Sequence, residues 1–180
     1  MLIISIYIIA LFFCNICDSF IVIFKENHVK LKPLEMTIAI VGTGPAGLAT
    51  AIMLARRGMN NITLFDQFAQ PPKPDDKSVW GNFDMDRSYL IGLSGRGQIV
   101  LKDLDVLEKI KTYSTSLEGA IVWDPDTPVN EPKERDFSTR TYTTVCIERD
   151  RISSCLLQEV QEKYNSSIKV SYYLYNSVST

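Results

Sequence analysis

Residues 37–66 read TIAIVGTGPAGLATAIMLARRGMNNITLFD, and this stretch decides the fold. Ile38 to Val41 is a short apolar run of the kind that forms a fully buried parallel strand. Gly42-Thr43-Gly44-Pro45-Ala46-Gly47 follows as a G-x-G-x-x-G turn. A helix rich in small residues then runs to near Gly58, and a second strand, Ile62 to Phe65, is closed by Asp66. These parts make a βαβ dinucleotide-binding unit, and each has a physical task. Gly42 allows the tight turn, and Gly44 has no Cβ to hold the backbone away from a pyrophosphate. Gly47, with Ala51 one helical turn later, lets the helix pack closely on the sheet. The helix N-terminus offers N–H groups and positive dipole to phosphates. Asp66 can accept hydrogen bonds from both hydroxyls of a ribose. Strand, turn, helix, strand and acid stand in register, which chance turn glycines would not produce.

The rest of the composition bounds the chemistry. The chain has 180 residues, 46% hydrophobic and 22% charged, with a formal net charge of −2. That suffices for one domain with a real core. There is no basic excess of the kind nucleic acid demands, so no nucleic-acid partner is expected. The single histidine, His28, lies outside the fold read here, which argues against Ser–His or Cys–His nucleophilic pairs and histidine-dependent metal sites. No metal is expected. Cys14 and Cys17 form a C-x-x-C without a second ligand pair, and Cys146 and Cys155 are read as reduced core thiols.

Residues 1–35 are set apart from the fold, which is taken as one domain over 36–180. Leu2 to Phe13 has the length of a signal-peptide core but no preceding Lys or Arg. Extended through Phe24 it approaches the ~20 residues needed to cross a bilayer. Two readings stand: a signal or anchor, giving membrane association through residues 2–24, or an extension outside the working protein, giving a cytoplasmic chain.

Beyond Asp66 the chain reads as a long polar loop, Gln67 to Asp86, in which Pro71, Pro72 and Pro74 forbid a helix. A strand is expected at Tyr89 to Leu93. Ser94-Gly95-Arg96-Gly97 then turns into a helix carrying Ile99, Val100, Leu104, Leu107 and Ile110. Leu117 to Trp123 reads as a strand, Asp124 to Ser138 as a second polar loop, and Tyr142 to Ile147 as a strand. Arg151 to Tyr164 is an amphipathic helix with Asp150 placed as its N-cap. Ile168 to Leu174 is a strand parallel to the first. The expected class is α/β: a Rossmann-like domain with a parallel sheet and a small antiparallel excursion, truncated at its C-terminus.

The βαβ unit alone suits NAD or FAD. With GTGPAGLATA at Gly42 to Ala51, Asp66 after the second strand, and RSYLIGLSGRG at Arg87 to Gly97, the chain resembles the FAD-dependent aromatic hydroxylases. Within them it is most similar to the kynurenine 3-monooxygenase group, where the latter segment reads roughly R-S-I-N-L-A-L-S-x-R-G. ERDRISSCLL, Glu148 to Leu157, is similar to that group's S-R-x-x-L-x-x-x-L-L helix start. The resemblance runs from about Thr37 to the end and implies a FAD-binding domain. Gly42, Gly44, Ala46 and Gly47 would hold the pyrophosphate and Asp66 the adenosine ribose. Gly92 would lie where strand backbone approaches the cofactor, and Arg149 would reach the cofactor from the start of its helix. An ion pair with a neighbouring acid is the other explanation for Arg149. For Arg96 a surface charge competes with a cofactor-side role, and Arg87 reads as an ion pair at a loop end.

The implied reaction uses NADPH as reductant and O2 to hydroxylate a small aromatic substrate, the flavin carrying the chemistry. Two departures bound the resemblance. LEGAIVWDPDT, Leu117 to Thr127, has Ala120 or a neighbour where the kynurenine group keeps a carboxylate-binding Arg, and alanine cannot replace a bidentate guanidinium. The Gly-Asp segment and substrate-side sheet of the family are missing before Thr180, so the chain alone is expected to be inactive. Two other readings stay open. One is an NAD(P)-dependent dehydrogenase, although no Tyr-x-x-x-Lys occurs; the other is a truncated, non-catalytic dinucleotide-binding module.

Overall fold

The computed structural model describes residues 6–7, 20–24, 37–80, 89–123 and 132–172. In chain order the elements are β1 (Ile6–Tyr7), β2 (Phe20–Phe24), β3 (Thr37–Val41), α1 (Pro45–Arg56), β4 (Asn61–Asp66), α2 (Lys77–Trp80) and β5 (Leu90–Leu93). They continue as α3 (Gly95–Asp103), α4 (Leu107–Thr112), β6 (Thr115–Leu117), β7 (Gly119–Val122), β8 (Lys133–Asp136), β9 (Thr144–Glu148), α5 (Arg149–Lys163) and β10 (Ile168–Tyr172). The chain divides into two compact units, residues 1–83 with 149–180, and residues 84–148.

The first unit is built on the parallel strands β3, β4 and β10. Ile38 stands opposite Ile62, Ile40 opposite Leu64, and Ile62 opposite Ile168. The third strand is thus parallel to the first, as expected, but its neighbour is the second. β3 is not buried throughout: Ile38 and Ile40 are sealed, whereas Thr37 and Val41 are exposed. The reason is that helices cover alternate side chains only. α1 turns Gly47, Leu48, Ala51 and Ile52 inward and packs against α5, whose Ile152, Cys155, Leu156 and Val160 are buried. Gly58, at φ +86°, ends α1 in the left-handed conformation that glycine adopts without strain. Arg56 Nε donates to the Tyr164 hydroxyl at 2.8 Å.

Three expectations change in this unit. Residues 1–35 were set outside the fold, yet β2 pairs antiparallel with β3, Phe20 opposite Val41 and Ile23 opposite Ile38. An apolar five-residue run satisfies the open backbone edge of β3, which sequence periodicity does not reveal. No helix among the described residues is long and apolar enough to cross a membrane. The proline loop carries a short helix, α2, after Pro74, and is strapped to α5. Arg151 Nε donates to the Pro74 carbonyl at 3.0 Å, Ser154 Oγ to that of Pro72, and the Arg151 guanidinium lies 5.3 Å from the Trp80 ring centre. Asp150 is not the N-cap of α5. The helix begins two residues earlier than expected, at Arg149, putting Asp150 in its first turn, where a carboxylate still favours the helix dipole.

The second unit holds an antiparallel sheet, β5-β9-β6, and a separate ribbon, β7-β8. The helix expected to continue from residue 97 to 110 is broken. Asp105 adopts φ +61°, so α3 stops and α4 restarts. The buried face is therefore Leu101, Leu104, Val106, Leu107 and Ile110, leaving Ile99 and Val100 exposed. The strand expected over 117–123 is divided at Glu118 between two sheets. Lys133–Asp136 is a strand rather than loop, because its backbone pairs with β7. Residues 124–131, within that expected loop, lie outside the described residues. Buried Gln98 ties the unit together, its amide donating to the carbonyls of Leu93 at 3.0 Å and Thr143 at 2.7 Å.

Leu156, fully buried on α5, and Leu90, 66% exposed on β5, separate core from surface. Leu156→Ala will lower stability by about 2–5 kcal/mol in urea unfolding, and Leu90→Ala by less than about 0.5. Equal losses would contradict the assignment of the core.

Candidate dinucleotide-binding site

β3 delivers the chain to the turn at the carboxyl end of the parallel sheet, the end at which ligands of open α/β sheets bind. Gly42 takes φ +102° and donates its N–H to Phe65 O of β4 at 2.7 Å. A Cβ on Gly47 would lie 2.1 Å from the Gly42 carbonyl oxygen, so α1 starts in direct contact with the turn. Only glycine fits there. Gly44 occupies the N-cap position with no side chain to cap the helix, and no acidic residue stands in the first turn. The first-turn N–H groups at Ala46, which is exposed, and Gly47 form the positive end of the helix dipole.

Arg149 opens α5 and brings a guanidinium to this turn. Its Nη2 lies 3.0 Å from where a Gly44 Cβ would be, and its Nη1 lies 3.3 Å from Asp150 Oδ1. The side chain thus pairs with a neighbouring acid and also stands against the glycine turn. Its side chain is 25% exposed, which leaves it within reach of solvent and ligand.

Asp66, at the end of β4, is held from within. Oδ2 accepts from the Thr43 N–H at 2.7 Å and from the Thr43 hydroxyl at 2.6 Å, and Oδ1 accepts from the Phe68 N–H at 3.0 Å. Tyr172 stands opposite Asp66 in the parallel register of β10 and β4. Its buried hydroxyl meets no hydrogen-bond geometry. Burial pushes the Tyr172 phenol above its ordinary value, the Thr43 hydroxyl opposes this more weakly, and the Asp66 charge adds the smallest push upward. The phenol therefore stays protonated at neutral pH. Thr43 and Tyr172 were not singled out from sequence. The signal for Thr43 was its position between two turn glycines, where its N–H and hydroxyl face the acid closing the next strand.

The structure thus brings Gly42, Gly44, Ala46, Gly47, Asp66 and Arg149 together in the first unit. Gly92 belongs to the second, in β5 opposite Cys146; a Cβ there would meet nothing within 4 Å, so its own unit does not demand glycine. Arg96 is exposed in the first turn of α3. Arg87 lies outside the described residues. Ala120 stands directly across β7-β8 from Arg135, a pairing invisible in the stretch LEGAIVWDPDT. Cys146 and Cys155 are both free, and no group of His, Cys, Asp and Glu among the described residues could hold a metal ion.

No family model matches this sequence, and no curated protein does. Solved structures do match in fold. PqsL from Pseudomonas aeruginosa, a probable FAD-dependent monooxygenase, superposes with a TM-score of 0.53 at 12% identity over 73% of this chain and 31% of its own. p-Nitrophenol 4-monooxygenase PnpA from Pseudomonas putida gives 0.52 at 13% identity over 73% and 29%. The flavin-dependent monooxygenase PieE, solved in complex with FAD and substrate, gives 0.51 at 16% identity over 73% and 22%. This chain spans about a third or less of the length of each. At these identities the likeness is one of fold: α/β, with the Rossmann-like architecture of FAD-binding monooxygenases.

Proposed function

We propose that this chain is the FAD-binding part of a flavin-dependent monooxygenase that hydroxylates a small aromatic substrate with NADPH and O2. The observation that carries the reading is the meeting of Arg149 with the Gly44 turn at the uncapped start of α1. A dinucleotide places two phosphate charges where its chain crosses such a turn, and a helix dipole alone gives one-sided support. The Arg149 guanidinium beside Gly44 would supply a second, charge-assisted contact. Ala46 and Gly47 N–H groups and Arg149 would hold the pyrophosphate, and Asp66 the adenosine ribose. The lack of any side chain at Gly44 leaves room for the phosphates beside Arg149.

When bound, FAD would supply the redox chemistry of the hydroxylation. The protein's task in this segment is to bind and orient. That agrees with a site whose polar groups are an arginine, a carboxylate and backbone amides. PqsL has been solved with 2-aminobenzoylacetate, which supports a small aromatic ligand in proteins of this fold. Kynurenine itself is a poor candidate, since Leu117 to Thr127 contains no basic residue to take its carboxylate.

Purified chain mixed with FAD and passed over a desalting column will retain flavin absorption. A colourless protein that binds NAD instead would sink the FAD reading in favour of a dehydrogenase. Arg149→Ala will weaken FAD binding roughly ten- to hundred-fold, as expected for one charge-assisted contact, with Arg149→Lys falling between. Unchanged affinity in Arg149→Ala would confine Arg149 to its ion pair with Asp150.

A further inference from the structure

We infer that β2 is a removable cover over one edge of β3, and that the uncovered edge fits a second copy of this chain. The inference stands apart from the dinucleotide reading. β3 is the first strand of the βαβ unit, and β4 and β10 lie parallel to it on one side. Doubly wound sheets take their next parallel strand on the other side of the first, at the switch point. Here β2 takes that side. It precedes β3 in the chain and runs against it, with Phe20 opposite Val41 and Ile23 opposite Ile38.

β2 is held by little besides this pairing. Its main neighbours are β3 and, over two residues, β1. Among the described residues no helix packs extensively on it, whereas α1 lies on both β3 and β4. A strand without a covering helix adds backbone hydrogen bonds but little core, which places it at the low end of local stability. What it covers is adhesive. Thr37-Ile38-Ala39-Ile40-Val41 carries no charge and no proline, the usual guards of an edge. It is also self-complementary. Turned antiparallel about Ala39, two copies of β3 set Ile38 of one opposite Ile40 of the other, and directly opposed residues share a face. The isoleucines that are sealed in each copy would therefore meet on the core side. β2 already shows that this edge accepts an apolar antiparallel strand.

Two measurements on the full chain test this. In the parent, amide hydrogen exchange followed by NMR will show the β3 N–H groups that face β2 exchanging at least about ten-fold faster than those that face β4. Equal protection would make β2 a fixed strand and overturn the inference. The second measurement compares Ile21→Pro with Val22→Pro, at positions that β1 does not reach. Successive N–H groups of a strand point to opposite edges, so one proline removes a bond to β3. The other falls on an outward N–H, where proline is tolerated. Sedimentation velocity, with circular dichroism as the check on folding, will find the parent and one variant monomeric and the other variant dimeric. Adding Ala39→Lys to the dimeric variant opposes like charges at the centre of the pairing and will return it to monomer. Two monomeric variants, or a dimer that survives Ala39→Lys, would overturn the second copy as partner. A parent already dimeric through β3 would overturn the cover.

Discussion

The closest constraint in this molecule is the approach of α1 to the turn that precedes it. The Gly42 carbonyl lies where a side chain on Gly47 would have to begin, and the gap of 2.1 Å to that imagined Cβ admits hydrogen alone. Gly42 in turn must reach φ +102° to leave β3 and hand the chain to the helix. From this contact the rest of the first unit follows. The helix is set down with Leu48 and Ile52 on the sheet, α5 packs against it, and the uncapped N–H groups of its first turn face outward at the carboxyl end of β3. A looser turn would separate the positive helix end from both Arg149 and Asp66.

The charges around that turn are arranged in opposition. Arg149 brings positive charge to the Gly44 side, and Asp66 brings negative charge at the end of the neighbouring strand. A dinucleotide carries the matching pattern of anionic phosphates and sugar hydroxyls. Each charged group is also held by the protein itself, Arg149 by Asp150 and Asp66 by Thr43 and Phe68. Such internal partners keep a polar side chain in one orientation before a ligand arrives, which lowers the ordering cost on binding.

How much of this could be read from sequence depends on where each constraint is written. The turn was legible because its constraints fall on single residues, Gly42, Gly44 and Gly47, and because Asp66 closes a strand of the right length. The parallel strands followed from apolar runs, α1 from the small residues behind the glycine turn, and α5 from its amphipathic spacing. Elsewhere the constraint lay in the partner and not in the residue. FIVIF at Phe20–Phe24 read as part of a signal or anchor, or of an extension outside the working protein, since nothing local says that β3 has an open edge for it. Asp105 looks like any exposed helical residue until its positive φ breaks the helix. Lys133 to Asp136 is polar and reads as loop, but β7 supplies its pairing. At the site, Arg149 was found through resemblance and Thr43 was passed over, because the hydroxyl's partner lies twenty-three positions away.

The most direct measurement is the affinity of Gly44→Val for FAD, followed by flavin fluorescence and set beside circular dichroism of the same protein. A side chain at Gly44 projects toward Arg149 Nη2 and into the space assigned to the pyrophosphate. The account predicts a helical, folded variant that no longer binds FAD. A folded variant that binds FAD as tightly as the parent would contradict it, since the glycine turn would then not be where the dinucleotide lies.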